Sequence, residues 1–179
     1  TIMGNVLGKP LDSPEFEPFW QRAVKHDVPI FIHPAQWEWY PWAQEHRLGG
    51  MYGWPFDTTL AMSRLVWGGV LERYPTLKFM THHLGGMVPY FVGRAQTWYD
   101  EGIEYYPLRD TAPVGFPGYP RKAKKHVLDY YKMFYNDTAL YGWTPALQCG
   151  YEFFGPDKIL YGSDYPAGPE EGMYYLREA

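Results

Sequence analysis

The sequence predicts an α/β fold of parallel strands alternating with helices, and three observations predict it. Short apolar runs end on polar side chains at Pro29 to His33, Leu77 to His83, Met133 to Asp137 and Lys158 to Asp164. The intervals between them are long enough for crossover helices, which parallel neighbours require. Helix-opening and helix-closing residues fall inside those intervals. Ligands and chemistry collect at the carboxyl ends of such strands, where rigid strand ends meet open loops.

In chain order, Thr1 to Val6 reads as the tail of a strand and Gly8 to Leu11 as a loop. Ser13 before Pro14 opens a helix with a capping hydroxyl, and Pro18 predicts a bend before an end near His26 or Asp27. The strand to His33 leads into an aromatic loop, Trp37, Trp39, Tyr40 and Trp42. Asp57 or Thr58 is expected to cap a helix running through Leu65 and Val70 to Tyr74, stopped by Pro75. After the strand Leu77 to Thr81, a helix is expected from Met87 to Glu101. A Pro/Gly-rich surface loop (Tyr105 to Tyr119) and a basic helix (Arg121 to Tyr131) precede the third strand. Thr144-Pro145 opens a further helix that Gly155 closes, and the last strand is expected to end at Asp164. Four strands and part of a fifth make about half of an eight-stranded (β/α) barrel, which takes roughly 250 residues. Either an amino-terminal half lies outside this sequence or the strands form an open sheet.

The 179 residues, 46% hydrophobic and 20% charged, suit one compact domain. A net charge of −4 gives no reason to expect nucleic acid, and the basic cluster Arg121 to Lys125 reads as a solvated helix face. No run reaches the roughly 18 apolar residues of a membrane span. One cysteine, Cys149, excludes an internal disulfide and fits a reducing, cytoplasmic setting.

His33 and Asp164, at sibling strand ends, are a donor pair suited to zinc, manganese or iron, although a catalytic metal needs about three protein ligands. His82 and His83 are adjacent, so in a strand they face opposite ways and one of them is structural. In Gly-Ser-Asp-Tyr-Pro, Gly162 permits close approach and Pro166 fixes the exit, while Asp164 can also be a turn cap. Asp137 reads as a loop cap at the same mouth. The aromatic loop can roof an apolar pocket, with Trp37 touching substrate, or serve an interface or the core.

Four strings carry a resemblance: His33-Pro34, Gly53 to Arg73, His83-Leu-Gly-Gly-Met-Val-Pro-Tyr-Phe-Val-Gly-Arg94, and Gly162-Ser-Asp-Tyr-Pro166. In order and placement the chain resembles the amidohydrolase superfamily, in particular the amidohydrolase-2 branch of aminocarboxymuconate-semialdehyde and γ-resorcylate decarboxylases. The resemblance implies a TIM-type (β/α)8 barrel of which residues 1–179 form a single domain holding about the second half, strands 5 to 8. Its fifth, sixth and eighth strands would end at His33, His83 and Asp164. It implies His33 and Asp164 as metal ligands, His83 as acid/base residue with Asp164 beside it, and Arg94 gripping a substrate carboxylate across a homodimer. The family's further ligand pair, His-x-His or Glu-x-His, has no counterpart before His33, so the chain is expected to be amino-terminally incomplete and inactive alone. The implied activity is decarboxylation of a small unsaturated or aromatic carboxylic acid with one divalent ion, zinc first and manganese second. Metal-dependent hydrolysis of an ester, lactone or amide and a non-catalytic binding remnant are the alternatives. Partners other than the small-molecule substrate and a second subunit are not expected, neither nucleic acid nor membrane.

Overall fold

Five short strands lie side by side in one parallel sheet, in the order β1 (Ile2–Met3), β4 (Ile30–His33), β5 (Phe79–Thr81), β6 (Tyr135–Asp137) and β7 (Ile159–Leu160). The computed structural model describes residues 1–35, 41–100 and 124–178. Crossovers between the strands carry α1 (Glu17–His26), α2 (Trp54–Trp67), α3 (Val70–Arg73), α4 (Val88–Asp100), α5 (Val127–Tyr131) and α6 (Thr144–Phe154), and α7 (Met173–Glu178) follows the sheet. The α/β expectation therefore holds, with parallel pairing throughout this sheet.

The strands form where apolar residues let both faces lose water, and register follows from which side is covered. Ile32, Phe79, Thr81 and Asn136 point to the helix side and are buried. There they meet Trp20 and Ala23 of α1, Met62, Leu65 and Val66 of α2, and Val127, Tyr130 and Tyr131 of α5. Phe79 stacks on Phe134 and meets the edge of Trp20, at centroid distances of 5.5 and 5.6 Å. The Tyr131 hydroxyl donates to Ser63 Oγ and accepts from Trp67 Nε1, tying α5 to α2. On this side Thr81 donates to Asn136 at 2.6 Å, so the buried polar pair is satisfied.

Local structure departs from the sequence reading in several places. Asn5–Val6 (β2) and Lys9–Pro10 (β3) form a small antiparallel hairpin where the end of one strand and then a loop were expected, turning at Leu7 and Gly8 with φ of 52° and 79°. Ser13 makes no side-chain cap; a 3-10 turn, Pro14–Phe16, leads into α1, so Pro18 marks the join with that helix instead of a bend inside it. Neither Asp57 nor Thr58 caps α2, because Pro55 opens the helix at its first turn and both residues are buried inside it. The expected single helix to Tyr74 breaks at Gly68 and Gly69 into α2 and α3, Gly69 taking a φ of 70°. Thr144 begins α6 but Trp143 occupies the cap position. Pairing in β7 stops at Leu160, so Asp164 lies beyond the strand, in a loop, with a φ of 64°. The expected surface loop at 105–119, Trp37, and residues 121–123 of the basic helix lie outside the described residues; Val127–Tyr131 of that helix is present as α5.

Candidate active site at the strand ends

The register sets a row of side chains at the carboxyl rim. Met3 pairs with His33, Ile32 with Thr81, Thr81 with Asn136 and Asp137 with Leu160. Continued by one residue, this places His82 between His33 and Asp137 on the face away from the helices. The contacts agree: the His33 and His82 rings have centroids 5.0 Å apart, and His82 Nδ1 lies 2.6 Å from Asp137 Oδ2.

His33 Nδ1 sits 2.8 Å from the Pro34 carbonyl oxygen. A carbonyl only accepts, so Nδ1 carries the proton and Nε2 presents its lone pair, the tautomer of a ligating imidazole. Asp57 reaches the same corner from α2: Oδ2 accepts from the Ala35 amide at 2.6 Å and Oδ1 from Asn5 Nδ2 at 3.2 Å. Burial pushes the Asp57 carboxyl up from its ordinary value; these two hydrogen bonds and the nearby His33 oppose that rise. Gly4 has to be glycine here, since a Cβ would stand 2.3 Å from Asp57 Oδ2.

His83 is not part of the strand, and the alternation rule does not govern it. Its backbone takes a left-handed φ of 57° in the turn His83–Gly85. Asp137 Oδ1 holds that turn by accepting from the His83 amide at 2.9 Å, and it also accepts from the Ala139 amide at 3.1 Å. Thus Asp137 is a loop cap, as expected, and also an imidazole partner. The His83 side chain is buried, and among the described residues its Nδ1 has no hydrogen-bond partner. Burial lowers its pKa from 6.5; the charges of Asp137 and Asp164 pull it up, while His82 and His33 push it further down. Those four groups all act on one imidazole.

Asp164 receives the Tyr141 hydroxyl on Oδ2 at 2.8 Å, and its carbonyl closes a turn with the Ala167 amide. Gly162 permits the expected close approach: a Cβ there would meet Asp137 Cβ at 2.8 Å. Arg94 is exposed on α4, and no described contact joins it to His33, His83 or Asp164. Trp37 lies outside the described residues. As for a metal, the His33 tautomer fits one, but among the described residues no group of three or more His, Cys, Asp or Glu converges to hold a cation by itself. The sequence reading took Asp57 only as a helix cap, did not name Tyr141, and favoured His83 over His82. The available signal for Asp57 was a carboxylate in the first turn of a proline-opened helix.

The amidohydrolase family profile matches residues 2–178. Over 175 residues the chain is 31% identical to 2-amino-3-carboxymuconate-6-semialdehyde decarboxylase of Dictyostelium discoideum, covering 92% of this chain and 42% of that protein. It is 27% identical to γ-resorcylate decarboxylase of a Rhizobium species, covering 87% and 45%. Among solved structures it resembles 5-carboxyvanillate decarboxylase of Novosphingobium aromaticivorans, complexed with manganese and 4-hydroxy-3-methoxy-5-nitrobenzoic acid. That match has a TM-score of 0.78 and 25% identity, over 96% of this chain and 47% of the other. The chain spans about half the length of the relatives it matches.

Proposed function

The chain belongs to the amidohydrolase family, and from that premise we propose that it serves as a metal-dependent decarboxylase of a small aromatic or unsaturated carboxylic acid. One observation carries the reading: imidazoles and carboxylates gather at the carboxyl rim of a parallel sheet in a chain whose relatives are named decarboxylases. In this reading β4, β5 and β7 correspond to the fifth, sixth and eighth strands of the family's barrel, and the uncovered sheet face is the barrel's inside.

His33 and Asp164 are the residues of this chain that would hold a divalent cation, manganese as in the solved decarboxylase or zinc as the resemblance suggests. Such an ion, when bound, polarises substrate oxygens or lowers the pKa of water. Exchanging a carboxylate for hydrogen requires one proton delivered to carbon. His83 suits that task, because a buried imidazole with a lowered pKa gives up a proton readily once charged, and Asp164 nearby supports the charged form. Trp37 is assigned to the substrate's apolar face. Arg94 would give a two-pronged grip on a carboxylate in a partner's site. Tyr90, Arg94 and Trp98 form an exposed stripe of α4 at helical spacing, which supports a homodimer through that helix. Among the described residues no helix is long and apolar enough to cross a membrane; a cytoplasmic setting rests on the sparse cysteine.

Because residues 1–179 are expected to be inactive alone, the test uses the full-length gene product that contains them, supplies manganese with carboxyl-labelled γ-resorcylate and 5-carboxyvanillate in turn, and follows labelled carbon dioxide. Release equal to loss of substrate is expected from at least one, abolished by a chelator and reduced about 10²–10⁴-fold by His83→Asn. Turnover of an ester or lactone probe with no carbon dioxide from either acid would refute the reading.

A further inference from the structure

Alternation along β5 would send the His83 ring to the helix side, where Thr81 points, and away from His82. Instead the His82 and His83 ring centroids stand 6.3 Å apart, and the charges acting on His83 are those of Asp137, Asp164, His82 and His33. A change of backbone hand brings this about. His83, Leu84, Gly85 and Gly86 take successive φ values of 57°, 49°, 76° and 63°. Glycine enters that region freely, but histidine and leucine do not, so their surroundings have to hold them there. Three elements close on the turn. From α2, Thr59 Oγ1 accepts the Met87 amide at 2.8 Å, where the turn gives way to α4. From α6, Gly150 leaves the space that Leu84 fills, since a Cβ on it would stand 2.1 Å from Leu84 Cδ2. From β6, Asp137 grips His83 itself: Oδ1 accepts the His83 amide at 2.9 Å and the Ala139 amide at 3.1 Å.

We propose that Asp137 is the positioning residue of His83: by holding the His83 amide it fixes the left-handed turn that sends this imidazole to the rim, beside His82, and not into the helix layer. The inference rests on the reading above in which His83 delivers a proton, and it adds the residue that sets where that proton is delivered. Asp137 is built for a fixed position. Its side chain is buried, its second oxygen lies 2.6 Å from His82 Nδ1, and its Cβ is so close to Gly162 that a Cβ there would meet it at 2.8 Å. The carboxylate therefore cannot swing away from the amides it serves. A proton is transferred only within hydrogen-bond reach, and a displacement of about 1 Å can cost about 10²-fold in rate. What the turn needs from Asp137 is an acceptor oxygen, not a charge, because a main-chain N–H requires only a lone pair. Asparagine keeps such an oxygen at the same place and alanine does not, which separates positioning from an electrostatic role.

The experiment compares the unaltered full-length gene product with Asp137→Asn and Asp137→Ala, by nuclear magnetic resonance and by turnover. In the unaltered protein a scalar coupling should cross the hydrogen bond from the His83 amide nitrogen to the Asp137 carboxyl carbon, and the His82 and His83 rings should show a nuclear Overhauser contact. Asp137→Asn should keep both signals, and Asp137→Ala should lose both together with the left-handed carbon shifts of His83. Turnover is compared as kcat at each protein's own optimum pH, so that the Asp137 charge, which pulls the His83 pKa up, does not enter. There Asp137→Asn should stay within about threefold of the unaltered protein, since its acceptor oxygen remains. Asp137→Ala should lose about 10²-fold in kcat with KM little changed. A missing coupling in the unaltered protein, a left-handed His83 that survives Asp137→Ala, or an Asp137→Asn whose kcat falls as far as that of Asp137→Ala overturns the proposal. Should Asp137→Ala fail to fold, the unaltered protein and Asp137→Asn still decide it. If neither acid is turned over, the decarboxylase reading fails, while the magnetic resonance signals still decide whether Asp137 places His83.

Discussion

The two faces of the sheet are made by alternate residues of the same strands, yet their surroundings are opposite. On the helix side Ile30, Ile32 and Phe79 sit at 4%, 0% and 1% exposure. On the other side Phe31, Met80, Tyr135 and Leu160 border an open groove of about 270 Å³, with Phe31 37% and Leu160 45% exposed. Among the described residues one face is closed by helices, and the other is left open until its last row, where His33, His82 and Asp137 engage one another. The difference teaches that stability and chemistry are divided between the faces: packing on the helix side holds the strands rigid, and that rigidity fixes the polar row at their ends.

The largest effect expected from this division is in the core. Phe79→Ala removes a ring enclosed by Trp20 and Phe134 and should cost about 3–5 kcal/mol of unfolding free energy in urea. Phe31→Ala, one residue away in register on the bare side, should cost about 1 kcal/mol or less. Equal losses at the two positions would break the comparison.

A smaller effect concerns acid. His83 is the buried histidine at the rim, and its pKa lies below the ordinary 6.5. The unfolded chain therefore takes up a proton near 6.5, while the folded chain resists until a lower pH. Protons favour unfolding in that interval, so stability is complete above about 6.5 and falls as pH drops toward the folded value. His83→Asn should remove that part of the pH dependence of the urea midpoint in metal-free protein. An unchanged slope would mean that the burial of this ring has no thermodynamic consequence.

How much of this was legible depends on whether the signal was local. The strands ending at His33, Thr81 and Asp137 were readable because apolar runs closed by polar residues are a property of a few neighbouring positions. The start of α2 was misplaced because Asp57 resembles a cap, whereas Pro55, two residues earlier, was the better sign. The break between α2 and α3 was written in Gly68-Gly69 and passed over in favour of the apolar periodicity around it. Alternation correctly separates neighbouring strand residues, but it cannot say which face holds the site. That depends on the register between β4, β5 and β6, which is set by packing across the sheet. For that reason alternation alone left open which of His82 and His83 faces the open side. The left-handed turn at His83 and the loop position of Asp164 past β7 are likewise held by hydrogen bonds to Asp137 and Tyr141, partners distant in the chain.

The central claim is that the carboxyl rim is where a divalent ion binds, and paramagnetic broadening by substoichiometric manganese tests it most directly. Amide signals around His33, His82, His83, Asp137 and Asp164 should disappear first, while those of Ile30, Lys78 and Lys158 at the opposite end of the strands stay sharp. Broadening centred elsewhere, for example on the exposed Glu170 and Glu171, with the rim unaffected, would contradict it.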